Sequence, residues 1–314
     1  MNSTKKYITE HEHIFSLKNK GKKDYSGSPN KLNKWSFLGL CYYHLKSVIR
    51  CIIYLPIVLY GGRKFFNKTL ALKGSAKKKR ALIIGNGPSQ GYMSTEELNQ
   101  FVKSGGETYC VNYWNKNSEL STHIPTWMVF SDRQIFDEKD PGSIELIEYL
   151  KNNQSIKVIV PTTEIKLIQS KGLKNEIYCI VDIELSIWQN INPLLPRGYI
   201  TLTLYKALAW SIYLGYDSIG VIGMDNTFPK NVYNDINNNV IFLENHAGKD
   251  DTLLDLSSHY LNVASFYYDV LKMFHHLEYF PNNNIVNLDP YSLTDRFKKV
   301  NKKDFFKLIP NNTA

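Results

Sequence analysis

Four short apolar runs in this chain end in small polar residues suited to holding an anion or a nucleoside. Ala81-Leu82-Ile83-Ile84 empties into Gly85-Asn86-Gly87-Pro88-Ser89, and residues 108–111 end at Asn112. Residues 126–130 end at Ser131-Asp132, and 218–223 lead to Asp225-Asn226-Thr227. Two glycines remove the Cβ atoms that would hold a phosphate off the backbone, and they permit turns with positive φ. Peptide N–H groups of such a turn can converge on an anion, with the Ser89 hydroxyl as a further donor. Any one of these residues alone is an ordinary turn former or helix cap. Four at four strand ends form a set.

Proton transfer at neutral pH asks for a histidine near its ordinary pKa. His246 is the best placed, in Glu244-Asn245-His246-Ala247-Gly248 directly after the apolar run 240–243. His259 is its rival, at the start of an expected long helix where capping or packing is an equal use. His275-His276 fall late on that helix, and His11-Glu12-His13 lies in a polar tail where solvation is the plain reading. The stretch 226–239, rich in Asn with Phe228 and Tyr233, reads as a long loop of the kind that forms lids. No Asp-x-Asp pair is present for a divalent ion. Asp182-x-Glu184 comes nearest, in a position that does not suit a donor site, so metal-free chemistry is favoured.

The elements that must position these residues alternate. Strands are expected at 81–84, 108–112, 126–131, 156–160, 176–181 and 218–223. Helices are expected at 94–103, 143–152, 200–214 and 255–278, the last two with apolar residues three and four apart. This alternation predicts an α/β fold, a single Rossmann-like, doubly wound and mostly parallel sheet. The polar strand ends then share its carboxyl edge, where open sheets bind ligands.

The net charge of +9 is segregated. Residues 1–80 hold 18 Lys+Arg and 3 Asp+Glu; the remainder holds 20 and 26. The basic surface thus belongs to an N-terminal extension, which argues against nucleic acid as a partner of the body. Residues 1–34 are polar and basic and are expected to be a mobile tail without a signal peptide. Residues 35–78 are aromatic, aliphatic and basic. Their uninterrupted apolar run, 51–60, is about 15 Å long as a helix, against a hydrocarbon core of about 30 Å. The expectation is an amphipathic element on an anionic membrane surface, with residues 35–80 as the contact. The alternative is a helix docked on the protein's own core. Cys41, Cys51, Cys110 and Cys179 have no metal-ligand spacing and require no disulfide. The chain is expected in the cytoplasm, peripheral on the inner face of the cytoplasmic membrane, as a monomer or a homo-oligomer.

From about Arg80 to Val300 the chain resembles the bacterial sialyltransferases of glycosyltransferase family 42 and related surface-polysaccharide proteins. The resemblance rests on Ile84-Gly85-Asn86-Gly87-Pro88-Ser89, Cys110-Val111-Asn112-Tyr113-Trp114 and Phe130-Ser131-Asp132. It extends to Thr203–Tyr216 running into Ser218–Asp225, and to Leu288-Asp289-Pro290-Tyr291-Ser292-Leu293. It implies a GT-A-like catalytic domain over 79–314, a CMP-sugar donor, inversion at the anomeric carbon and no metal or other cofactor. By position, Gly85, Asn86, Gly87, Pro88, Ser89, Asn112, Asp132 and Asp225 would line the nucleotide site, and Thr203 would stand near the donor carboxylate. His246 would be the general base. Tyr233 would hydrogen-bond the departing phosphate, with Thr227 where the family has a second tyrosine. The family's donor-proximal arginine has no exact match, Arg197 lying three residues early.

The reading this favours is an inverting, metal-independent transfer of an acidic sugar (sialic acid, a related nonulosonate or Kdo) to a surface glycan such as lipopolysaccharide or capsule. A Mg²⁺-dependent phosphotransferase similar to the hydroxymethylpterin pyrophosphokinases is one alternative. A non-catalytic scaffold of the same fold is the other.

Overall fold

The computed structural model describes residues 23–24, 36–117, 119–131, 133–136, 140–234, 239–244, 252–257, 259–260 and 262–307. A two-residue strand, β1 (Lys23–Asp24), precedes a long helix, α1 (Phe37–Leu70). Then follow β2 (Arg80–Ile84), α2 (Thr95–Lys103), β3 (Glu107–Val111), β4 (Trp127–Val129) and α3 (Pro141–Asn152). Next come β5 (Lys157–Pro161), α4 (Ile165–Ser170), β6 (Ile177–Ile180), α5 (Thr203–Leu214) and β7 (Ser218–Ile222). The chain continues through β8 (Val232–Asn234), β9 (Val240–Glu244), β10 (Thr252–Asp255) and α6 (Val263–Leu277), to β11 (Ile285–Asn287), β12 (Lys298–Lys299) and α7 (Lys302–Lys307).

Eight strands form the main sheet in the order β12-β11-β7-β2-β3-β4-β5-β6, every pair parallel. A parallel sheet needs both faces covered, and the strands accordingly bury both sides. Ala81 and Ile83 face a core shared with α5 and α6, whereas Leu82 and Ile84 face one shared with α2, α3 and α4. The doubly wound α/β architecture expected from the alternation is the one observed. The chain runs outward from β2 to β6, then returns through α5 to place β7 on the other side of β2. The order reverses there, so the crevice between the carboxyl ends of β2 and β7 is the topological switch point.

Two expected elements differ. The long helix begins at Val263 and not at residue 255, with Asn262 as N-cap accepting from the Ser265 N–H at 2.9 Å. Residues 252–255 pair antiparallel with β9, where Leu253 completes a small core with Ile241 and Leu243. His259 therefore precedes the helix. The stretch read as a lid loop contains β8, which pairs antiparallel with β9. With β1 paired parallel to β10, these strands make a second, four-stranded sheet, ordered β1-β10-β9-β8.

The run at 51–60 lies within a helix of 34 residues, about 51 Å at 1.5 Å per residue, because neither Pro56 nor Gly61-Gly62 ends it. Among the described residues it is the helix long and apolar enough, by length and composition, to cross a membrane. One face docks on the body. Cys51 and Val58 pack on Val181 and Ile183. His44 Nδ1 lies 2.9 Å from Ser186 Oγ, and Ser47 Oγ accepts from the Ser186 N–H at 2.8 Å. Further along, Gly62 lies against Thr162, and Lys68 sits over the Tyr178 ring at 4.3 Å. Rising numbers in α1 meet falling numbers in 176–186, so α1 runs antiparallel along the edge strand β6.

Candidate functional site

The four polar strand ends come together because their strands are neighbours in the sheet, β7-β2-β3-β4. Asp225, Asn86, Asn112 and Ser131 follow the carboxyl ends of these strands. Three inter-strand steps of about 4.8 Å spread them over roughly 14 Å, the length of a nucleotide. Asp132 and His246 lie outside the described residues.

The glycine turn packs against the end of β7. The Gly85 N–H donates to Ile222 O at 2.8 Å and the Gly87 N–H to Gly223 O at 3.0 Å. A Cβ on Gly85 would stand 2.4 Å from Gly223 O, and one on Gly87 would stand 1.9 Å from Asp225 Oδ2. Gly223 itself has φ +73°. Only glycines allow the two loops this approach. Ser89 is buried and bound within the protein: its N–H donates to Asp225 Oδ1 at 3.1 Å and its hydroxyl to Oδ2 at 3.0 Å. Its Oγ in turn accepts from the Gly223 N–H at 2.9 Å. Pro88–Tyr92 forms a 3₁₀ turn, and the following α2 closes its own N-terminus with a Ser94–Glu97 capping box. The N-terminus that reaches the crevice belongs to α5. Its N-cap, Leu202, supplies no side-chain acceptor. Thr203 Oγ1 lies 3.4 Å from Asn112 Oδ1, and Leu204 lies against Gly85. Oriented N–H groups at such a terminus favour an anion.

Asn112 and Asn226 both adopt left-handed backbone, φ +49° and +52°, which asparagine tolerates better than most side chains. Asn226 Nδ2 donates to Thr294 Oγ1 at 2.7 Å, tying the Asp225 loop to the loop after β11. That second loop brings in Asp289, which the sequence shows only as part of a turn. Asp289 is fully buried, its Oδ1 accepts from the Tyr291 N–H at 2.8 Å, and its carboxyl faces that of Asp225. Burial first, and then the facing Asp289 carboxyl, push the Asp225 carboxyl up to about 6. The crevice floor thus holds two facing carboxyls, and burial beside Asp289 disfavours the charged form of Asp225.

Beneath Ser131 lies a second cluster. Lys206, almost wholly buried on α5, donates to Asp182 Oδ2 at 2.6 Å, Ser131 Oγ at 2.9 Å and Thr201 Oγ1 at 2.9 Å. Arg197 Nε donates to Asp182 Oδ1 at 2.5 Å. Burial alone would raise the Asp182 carboxyl, but Lys206 and Arg197 outweigh it and hold it down at about 2. Both cations pair with Asp182. The signal for Lys206 was a lone lysine inside the apolar run 204–214.

Tyr233 sits on β8 opposite Ile241 and packs on the core of the small sheet. Thr227 opens the 3₁₀ turn Phe228–Asn231. His276 is a buried acceptor for the Ile200 N–H at 2.8 Å, which accounts for it structurally.

The sheet order and crevice define a doubly wound α/β protein with an eight-stranded parallel sheet and a small second sheet. No protein-family model matches this chain, and no curated protein does. Among solved structures, the MAf glycosyltransferase from Magnetospirillum magneticum AMB-1 is similar with a TM-score of 0.43 and 11% identity, covering 74% of this chain and 35% of that one. The chain spans about a third of the length of that structure.

Proposed function

We propose that this chain is an inverting glycosyltransferase that takes an acidic sugar from a CMP-activated donor bound in the crevice between β2 and β7. The observation that carries this reading is the row of polar groups from Asp225 through Asn86 and Asn112 to Ser131, beside the α5 N-terminus. The sialyltransferase-like motifs supply the reaction. The bond from the anomeric carbon to the phosphate breaks, CMP leaves with the electron pair, and the acceptor oxygen attacks the opposite face. His246 takes the acceptor proton, while Tyr233 and Thr227 donate to the departing phosphate. Donors fixed around that phosphate stabilise its growing charge. Asn86, Asn112 and Thr203 hold the nucleotide and the donor carboxylate. The Ser89–Asp225 bonds fix the turn and leave nucleotide contact to its neighbours.

The facing carboxyls of Asp225 and Asp289 favour one second reading. A Mg²⁺-dependent phosphotransferase would use such a pair to hold the ion that bridges nucleotide phosphates. Thermal unfolding with CMP, UDP, GDP and ATP, each with EDTA and with Mg²⁺, separates the two. A ligand at a hundred times its Kd adds about 2.7 kcal/mol. Stabilisation by CMP that is indifferent to EDTA is the expected result; stabilisation by ATP only with Mg²⁺ transfers the assignment to the phosphotransferase. His246→Ala should then lower transfer at least about a hundredfold with CMP affinity unchanged. Loss of both together would remove His246 from the role of base.

A further inference from the structure

We infer that the outward face of α1 is an in-plane membrane-binding surface whose partner is an anionic lipid bilayer. The docked stripe of α1 runs through His44, Ser47, Cys51, Leu55, Val58, Gly62, Phe66 and Thr69, three or four residues apart. On the opposite side Leu38, Tyr42, Leu45, Ile49, Ile53, Ile57 and Tyr60 recur at the same spacing, all solvent-exposed, Leu38 at 78% and Tyr60 at 89%. A continuous stripe of large apolar side chains about 33 Å long, from Leu38 to Tyr60, exceeds what a surface leaves bare without a partner.

Charge complementarity selects the partner. Residues 37–80 carry ten lysines and arginines and no aspartate or glutamate. Lys46 and Arg50 flank the apolar stripe, Arg63 and Lys64 close it, and Lys73, Lys77 and Lys78 continue past the helix. A second copy of this chain would bring the same cations against themselves. An anionic bilayer offers hydrocarbon to the stripe and headgroup charge to its rim, and lysine and arginine stems reach from one to the other.

The docked face decides the orientation. Polar contacts to the body occur near both ends of α1, from His44 and Ser47 on Ser186 to Lys68 on Glu176 at 4.0 Å. A crossing helix would have to give these up or carry the edge of the sheet into hydrocarbon. Lying flat, α1 keeps them all. Because it runs antiparallel to β6, its N-terminal end sits at the carboxyl edge of the sheet. The crevice then opens along the bilayer surface, where a lipid-linked acceptor would be presented.

Co-sedimentation of the full chain with vesicles of phosphatidylcholine alone, or mixed with phosphatidylglycerol, tests this. Binding should be at least about tenfold stronger to the mixed vesicles and released by alkaline carbonate. The triple substitution Ile49→Glu, Ile53→Glu, Ile57→Glu should abolish sedimentation while leaving the unfolding temperature unchanged, since all three face outward. The difference in tryptophan emission between Tyr60→Trp and the parent, which has five tryptophans, should shift to the blue on vesicles, whereas the same difference for Phe66→Trp, on the docked side, should not move. Carbonate-resistant binding, or a shift at both positions, would replace the in-plane arrangement with a spanning one. A dimer in light scattering that the triple substitution dissolves, with no vesicle binding by the parent, would hand the face to a second copy.

Discussion

Gly87 and Asp225 are chemically coupled, and the coupling can be read by substitution. A methyl group on Gly87 would fall 1.9 Å from the carboxylate that anchors Ser89, so Gly87→Ala must push the two loops apart. The expected cost is about 1–3 kcal/mol, the range for overpacking a tight site, together with loss of any nucleotide-induced rise in unfolding temperature. Gly91→Ala, with open space around its position, is the matched control and should leave both unchanged. Asp225 gives a pH signature. Its carboxyl is raised to about 6 in the folded protein, so between the ordinary value of 3.8 and 6 the native state holds more protons than the unfolded chain. Its contribution to stability therefore falls as pH rises through that window. Asp225→Asn should unfold at a higher temperature than the parent at pH 7.5 and at the same temperature near pH 3.5. A parent that gains on the variant as pH rises from 4 to 6 would show that the fold does not raise the Asp225 carboxyl.

Among the elements, α5 does most to position the crevice. It crosses beneath β2, β3 and β4, delivers Thr203 to Asn112, and pins the end of β6 through Lys206 and Asp182. Lys206 and Arg197 share Asp182, so Asp182→Asn, which strands two buried cations, should destabilise by about 3 kcal/mol in urea unfolding. Lys206→Met leaves Asp182 paired with Arg197 and should cost less; a Lys206→Met variant as costly as Asp182→Asn would mean that Lys206 acts mainly through Ser131 and Thr201. The joint between α6 and the segment before α5 carries its own titration. Burial, helped by the nearby Lys272, His275 and Arg197, lowers His276 to about 3 against 6.5, so it stays neutral while accepting from Ile200. Below pH 6.5 the unfolded chain binds the extra proton, and stability should fall by up to about 1.4 kcal/mol per pH unit from this group as pH drops toward 3. Burial lowers His123 to about 4 and adds a slope of the same sign. His276→Gln should flatten the acid limb of the stability curve relative to the parent.

For the molecule as a whole, the segregated charge matters more than its sum. The nine cations of residues 37–79 are followed by a body with more acidic than basic residues, so attraction to an anionic surface orients the protein as well as recruiting it. The electrostatic part of that attraction is screened by salt. Raising ionic strength from 0.1 M to 1 M shortens the Debye length from about 10 Å to about 3 Å. Vesicle binding should weaken several-fold over this range without vanishing, because the apolar stripe of α1 is indifferent to salt. Complete release at high salt would leave the stripe no part in the contact.

Periodicity alone exposed most of this architecture. Alternating short apolar runs and helix-spaced stretches implied a parallel doubly wound sheet, and the polar residues at the strand ends implied one edge, because both follow from local chain geometry. Composition likewise revealed the basic extension. What the sequence left open depends on contacts between distant segments. Asp289 lies 64 residues after Asp225 and gains meaning only when the strand order β11-β7-β2 sets the two loops side by side. Ser89 reads as a free donor until Asp225 is seen to occupy it, and Asp182 reads as a bare carboxylate until Lys206 and Arg197 arrive. For α1, the apolar run 51–60 reads as an element of about 15 Å, yet the helix extends over 34 residues, and packing along β6 decides which face is left outward. Local pattern determines which elements form; which charges meet and which surfaces remain bare is decided by the tertiary fold.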